Sequence, residues 1–600
     1  MAISTATSIA WHSSKQAAAS SSSLSAIFAL RSNLNKLPFS SSISIFPRHF
    51  LCTSVRTMAM ASTAKTNTTK DQKITAPYGS WSSPITADAV SGAASRLGGL
   101  AVDGRGRLLW VESRPKEAGR TVLVREGEKI GDEPIDVTPP DFAVRTTAQE
   151  YGGQAFSVSG DTVVFSNYKD QRLYKQLIGD SFPVPLTPDY GGPVVRFADG
   201  VFDSRFNSYI TVMEDHREST LNPIATIVSV KLDNENIQDP KVLVSGSDFY
   251  AFPRMDLKGE RLAWVEWSHP NMHWDRAEIW VGYISEDGDI YKKICVCGNS
   301  ALIESPTEPK WSSRGELFLI TDRNTGFWNL HKWVENRNEV VPVYSLLAEF
   351  SMPLWVFGTS SYDFIQSDEE YNLVACCYRQ NGRSYLGIID DAQKLLSVLD
   401  VPFTDISTII AGHGCLYIEG ASSTQPLAIG KVRLDDNKLV AVGFSIIWSS
   451  SVESTEYKSY FSVPELIKFP SEFHGQYTYA YFYPPFNPIY EASPEEKPPL
   501  VLKTHGGPTS ESRGTLNLNI QYWTSRGWAF VDVNYGGSTV ILYKCDLKVT
   551  EGNIVKDFWD SGALWMLMTV VTVPTSWLKT EKSMESVYAL LEVLLVATLH

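Results

Sequence analysis

From about residue 95 to 435 the chain alternates polar turns with short apolar runs, and the unit recurs at a period of roughly 50 residues. Each unit has a Gly-bearing or small-polar turn, a β-rich run and then a second run carrying aromatics. In the first, the turn Asp103-Gly104-Arg105-Gly106-Arg107 leads into Leu108-Leu109-Trp110-Val111. Copies follow at 158–165, 202–212, 255–265 and 311–320, and weaker ones at 367–376 and 411–418. Each reads as a half-buried alternating strand, and no ten-residue helical pattern separates the copies. Seven such copies predict an all-β seven-bladed propeller; the competing arrangement is an array of β-sandwiches. The WD40 type is disfavoured because its closing Trp-Asp dipeptide does not recur: Trp274-Asp275 and Trp559-Asp560 are isolated.

Beyond the last copy the pattern changes. An aromatic strand over 476–483 ends at Pro484-Pro485, where a missing N–H must stop a sheet ladder. An apolar run, Pro499-Leu500-Val501-Leu502, then meets Thr504-His505-Gly506-Gly507-Pro508 and is followed by a second strand-like run at 528–534. Strand, glycine turn, helix and strand open an α/β unit. A glycine-rich loop at this place offers a backbone N–H to an oxyanion, because residues without Cβ let main chain approach closely. Such a loop calls for a nucleophile elbow, G-x-S-x-G, one helix and one strand later. The motif occurs nowhere in the 600 residues. Ser538 follows two glycines but has Val540 where the elbow needs glycine, and Ser561 has Trp559 two residues before it. A nominal triad of Asp557, Ser561 and His600 would run in an order foreign to α/β-hydrolases.

Charge and cysteine content narrow the setting. Residues 1–70 carry seven Lys/Arg and no acid, so the overall −14 leaves −21 on the remainder. An acidic body argues against nucleic acid and against anionic membrane surfaces as partners. The basic, serine-rich, acid-free leader predicts a plastid transit peptide and a chloroplast stromal protein; the alternative is a disordered tail without an address. Initiation at Met58 or Met60 would give a cytosolic form. The seven Cys are scattered, and Cys295-x-Cys297 lacks a second pair or a nearby His, which disfavours zinc and predicts reduced core thiols. The apolar stretches at 562–574 and 587–599 fall short of the roughly 20 residues a bilayer requires. They are expected to pack as helices on the sheet or to expose an apolar patch.

A propeller followed by His505-Gly506-Gly507-Pro508 resembles the prolyl oligopeptidase family of serine peptidases, in particular its acylaminoacyl-peptidase and dipeptidyl-aminopeptidase-like branch in a plant plastid form. Further runs carry the resemblance: 77–85, Glu150-Tyr151-Gly152-Gly153, His269-Pro270-Asn271-Met272-His273-Trp274-Asp275, 321–330, and Asn534-Tyr535-Gly536-Gly537-Ser538-Thr539. The resemblance spans about residues 75–539 and implies a propeller capping a partial α/β-hydrolase domain. It also implies acyl-enzyme cleavage of short peptides without metal or cofactor, with Gly507 as the oxyanion donor and His505, Gly506 and Pro508 shaping its loop. It does not imply His505 as a base; a hydrogen bond to a neighbouring strand is its expected role. The organisation expected is a leader over 1–70, a segment packing on the hydrolase part over 71–95, the propeller over 96–455, the opening of the hydrolase domain over 456–539, and a divergent tail over 540–600. Loss of the pattern after Thr539 suggests a C-terminally truncated form, from an alternative transcript or a misjoined gene. With no nucleophile, acid or base of the triad, the chain is expected to be inactive. The alternative is a non-catalytic propeller that binds peptides or proteins, including copies of itself. A carbohydrate-active scaffold is disfavoured for want of paired carboxylates.

Overall fold

The computed structural model describes residues 73–538 together with 587–589, apart from short internal stretches at 93, 130–131, 180–181, 234–236, 300–302, 368–370, 452, 471–476, 507–509 and 535–537. Among these residues, four-stranded antiparallel sheets follow one another along the chain. The first is built from Leu97–Val102, Leu108–Arg114, Arg120–Arg125 and Ile135–Asp136; the others occupy 156–185, 195–244, 249–297, 307–342, 362–399 and 405–449. Each takes its strands in chain order, and every repeat copy falls on the hairpin between the first and second strand. With few helices, these sheets fit a β-propeller.

The repeated turns have a local cause. Asp103 Oδ1 accepts the N–H groups of Arg105 and Arg107 at 2.9 and 2.8 Å, while Arg107 Nε donates to Oδ2 at 2.7 Å. Asp256 repeats the device with Glu260 and Arg261. A short carboxylate that satisfies two turn N–H groups replaces water and sets the hairpin.

The strands after these turns depart from the half-buried alternation expected of them. Leu317–Thr321 is buried at every position and Ser208–Asp215 at all but its last. The second strand of a sheet lies between the faces of two neighbouring sheets, so both its faces turn inward and the run becomes continuously apolar. The fourth strands are the opposite. Ile135–Asp136 is exposed, and Lys241–Val244 is exposed at its first two positions; short, charged outer strands discourage edge-to-edge pairing.

Adjacent sheets are bolted at the first strand. Its pairing with the second is interrupted by a bulge near Gly99, Asp199, Phe252 and Glu308, all at positive φ. At two of these bulges a carboxylate reaches the next sheet. Asp199 accepts from Phe252 N at 2.6 Å and Arg254 Nη1 at 2.9 Å. Glu308 accepts from Ser361 N and Oγ, both at 2.7 Å. The first and last sheets share no strand, but Trp448 Nε1 donates to Glu112 Oε2 at 2.9 Å, and Leu100, Leu108, Trp110, Cys415, Tyr417 and Ile429 form one buried cluster. The five described cysteines are unpaired and mostly buried.

A mixed five-stranded sheet follows, with spatial order Glu465–Pro470, Tyr477–Tyr483, Ala529–Asn534, Leu500–Thr504, Val587–Ala589. The last three strands are parallel. Helix Leu518–Thr524, capped by Asn517, crosses between two of them and buries Ile520, Gln521 and Thr524. The strand Val587–Ala589 differs from the helical packing expected of the 587–599 stretch. A vacant edge beside Leu500–Thr504 offers unpaired N–H and C=O groups, and a short extended segment satisfies them where a helix cannot.

The early chain clasps this sheet. Ile74–Thr75 pairs with Tyr490–Glu491, Arg526 Nη2 donates to Ile85 O at 2.8 Å, and Asn487 Nδ2 to Ser82 O at 2.9 Å. Gly527 has φ +90°, and a Cβ there would come within 2.9 Å of Gly79 N, so the contact demands glycine.

Candidate active site

The C-terminal ends of parallel strands are where an α/β sheet gathers ligand-binding loops. His505 stands there, one residue past Leu500–Thr504, which pairs in register with Ala529–Asn534. Its Nδ1 lies 3.2 Å from Gly506 O, and its Nε2 lies 2.6 Å from Ser538 Oγ. A carbonyl can only accept, so the proton belongs on Nδ1 and Nε2 accepts the Ser538 hydroxyl. Gly506 is exposed beside it. Gly507 and Pro508 lie outside the described residues, as do Asp557, Ser561 and His600. Both partners of the His505–Ser538 contact were legible as residues, but their pairing was not: it depends on two strands of distant sequence being parallel neighbours.

The loop after His505 is held from below. Asn534 Oδ1 accepts Ser512 N–H at 2.7 Å, Ser512 Oγ donates to Asp532 Oδ1 at 2.5 Å, and Lys503 Nζ lies 3.7 Å from Asp532 Oδ2. From the same loop, Arg513 and Glu511 reach the propeller-like sheets. Arg513 Nη1 meets Asp405 Oδ2 at 3.0 Å, Arg379 Nη1 meets Asp405 Oδ1 at 2.5 Å, and Glu511 lies 3.2 Å from each guanidinium. The Arg379 Nε contact with Glu511 has the distance of an ion pair without the alignment of a hydrogen bond. Burial works against the Asp405 carboxylate, but Arg513 and Arg379 outweigh it and hold its pKa below the ordinary value. Tyr481 OH donates to Gly382 O at 2.7 Å alongside.

The solved structures that this chain resembles carry the same architecture. A puromycin-hydrolyzing peptidase of Mycobacterium tuberculosis is 32% identical, with a TM-score of 0.71 over 78% of this chain and 70% of that one. The chain belongs to the prolyl oligopeptidase family. Puromycin hydrolase is 29% identical with a TM-score of 0.70, covering 78% of this chain and 71% of a mutant complexed with PGG. Prolyl oligopeptidase B from Galerina marginata, at 11% identity and a TM-score of 0.61 over 83% of this chain and 69% of that one, shares the fold alone. No family model matches the chain, and neither does any curated protein. These prolyl oligopeptidase-family neighbours are serine peptidases. Among the described residues, no helix is long and apolar enough to cross a membrane.

Proposed function

We propose that the chain is a peptide-binding member of the prolyl oligopeptidase family that, in the sequence given, does not hydrolyse peptides. In this reading the four-stranded sheets over 96–455 are seven blades, residues 456–539 open an α/β-hydrolase domain, and 71–95 brace it. His505 and Gly506 shape a loop in which Gly507 is the oxyanion donor, with Pro508 closing it. The observation that carries the inactive reading is the strand Val587–Ala589. It lies parallel beside Leu500–Thr504, so its C-terminal end reaches the level at which an elbow would present its nucleophile. The residues that follow it are Leu590, Leu591 and Glu592, and no G-x-S-x-G exists elsewhere. Without nucleophile and base, an oxyanion donor has no attack to stabilise.

A fluorophosphonate probe, which labels a serine activated by a nearby base, tests this on the purified chain. No stoichiometric label and no peptide-amide turnover are expected. Labelling at Ser538, together with turnover that Ser538→Ala abolishes, would make His505 and Ser538 a working dyad and overturn the proposal. In the same reading residues 1–70 direct plastid import. A reporter fused to those residues should enter plastids, and one left in the cytosol refutes that part. Self-association through the propeller is the remaining element, readable from sedimentation of the purified chain.

A further inference from the structure

The outer strands of the four-stranded sheets are not alike. Most carry a charge or a proline: Ile135–Asp136, Val184–Pro185, Lys241–Val244, Ile290–Cys297 with Lys292 and Lys293, and Glu339–Pro342. Leu395–Leu399 and Ala441–Ser449 carry neither, and they belong to consecutive sheets. The first has five residues and the second nine, so the second is by far the longer unguarded edge. It reads Ala441-Val442-Gly443-Phe444-Ser445-Ile446-Ile447-Trp448-Ser449, rich in the β-branched and aromatic residues that favour strand pairing.

This strand is held on its inner side and open on its outer side. Trp448 Nε1 donates to Glu112 Oε2 of the first sheet at 2.9 Å, and the Phe444 ring meets Phe403 edge-on with centroids 5.3 Å apart. Its pairing with Ala428–Leu434 slips by one residue at Val442 and again at Ile447. Between the slips, Gly443–Ile446 runs in unbroken antiparallel register with Gly430–Arg433. A bulge bends a strand, so the flat part of this edge is the stretch centred on Phe444 and Ser445. Among the described residues no strand lies on its outer side, and no loop gives it a backbone hydrogen bond. Outward N–H and C=O groups on a flat, uncharged edge are a template for another strand. Val442 and Ile446 stand out beside them, 59% and 39% exposed.

Two features favour a second copy of this chain over a foreign peptide. A peptide added to a sheet edge is recognised through pockets that take its alternate side chains, whereas Val442 and Ile446 project from this edge as knobs. A two-fold axis places each residue near it opposite its own mate, so a charge there would face a like charge. Gly443, Phe444, Ser445 and Ile446 carry none, while Lys292 and Lys293 on Ile290–Cys297 would repel their mates. The chain as a whole carries −14, so two copies approach at least cost where the edge is neutral. We infer that two copies of this chain join by antiparallel pairing of Ala441–Ser449 with its mate, about a two-fold axis near Phe444 and Ser445. One sheet of each copy then continues into the other. The inference rests on the self-association reading above and adds the surface that carries it. A contact along one strand edge lies at the small end of specific interfaces, so the pair forms in a concentration-dependent way.

Sedimentation velocity of the full chain, run from dilute solution to about 100 μM, tests it. A monomer–dimer equilibrium that stops at two copies is expected. Added salt should hold or strengthen it, because screening relieves the acidic repulsion and no ion pair sustains the contact. Ile446→Lys and Val442→Lys, both at exposed positions, should each weaken it at least about tenfold by bringing lysines together across the axis. Val398→Lys, exposed on the neighbouring outer strand, should leave it unchanged. Hydrogen exchange on the unaltered chain reads the pairing directly: amides within 441–449 should gain protection as concentration rises. Association that neither lysine change weakens, or that leaves exchange over 441–449 unaffected, overturns the inference and leaves self-association standing. An equal loss with Val398→Lys would make added charge itself the cause and overturns it too. So does growth past two copies, since a two-fold strand pair uses up both edges, and so does dissociation by salt, which assigns the contact to ion pairs. A chain that stays monomeric throughout overturns the inference and the self-association reading together.

Discussion

The four-stranded sheets and the mixed sheet solve the same problem in opposite ways. Each four-stranded sheet takes contiguous strands and buries its faces against the sheets before and after it, so its core is complete within about 50 residues and two neighbours. The mixed sheet draws strands from 465–534 and then from 587–589, and its parallel part needs crossovers. A four-stranded sheet can therefore form from one contiguous stretch, whereas the mixed sheet depends on segments far apart in the chain. The His505 loop belongs to the second kind: it is positioned by Asp532, Asn534 and Ser538, on strands that must first be brought side by side, with Val587–Ala589 parallel on the far edge of Leu500–Thr504.

The comparison can be broken most forcefully at Trp264, which is fully buried. Trp264→Ala should cost about 4 kcal/mol through cavity formation and the lost bond to Glu266. Segment-resolved hydrogen exchange should show the loss in 249–297 and its neighbouring sheets while 500–534 keeps its protection. Equal loss in both regions would mean that they unfold as one unit.

The junction comes next. Asp405→Asn leaves Arg379 and Arg513 with only Glu511 between them, and removing one member of a buried charge cluster should cost about 3 kcal/mol in a urea titration. It should also raise exchange at 511–516 first, since Leu516 N–H donates to Ser422 O across the same junction.

The same junction has a pH signature. Burial pushes the Glu419 carboxyl up to about 7; the Ser407 hydroxyl opposes this and Asp405 adds to it. Its folded pKa lies above the ordinary 4.5, so its favourable contribution is complete below that pH and is lost as pH rises through about 7. Asp405 has the opposite sign, losing its contribution only as pH falls below the ordinary 3.8. Between pH 4.5 and 8 the chain should lose on the order of 2 kcal/mol that Glu419→Gln does not lose. Parallel pH profiles of the two proteins would refute this.

The smallest expected effect is at the His505 loop. Ser538→Ala removes one hydroxyl from His505 Nε2 and should cost about 1 kcal/mol. A cycle with His505→Ala should show the two changes to be non-additive, and additivity would remove the contact from the account.

The sequence by itself determined hairpins such as those at Asp103, Asp203 and Asp256, because a short carboxylate closes the turn within five residues and an apolar run follows it. The strand, helix and strand around His505 were legible for the same reason: their signals are local. The third and fourth strands of the sheets were not, since outer strands such as Ile135–Asp136 and Lys241–Val244 are short and exposed and carry little apolar pattern. Tertiary structure alone decided that second strands are buried on both faces, that Asp199 and Glu308 at their bulges fasten one sheet to the next, and that His505 meets Ser538. It also decided that Glu214, Asp248, Trp267 and Trp355 share one cavity. Turn chemistry acts over a few residues and is written in them; convergence across sheets is set by how many strands pack at once, and no single stretch of sequence contains it.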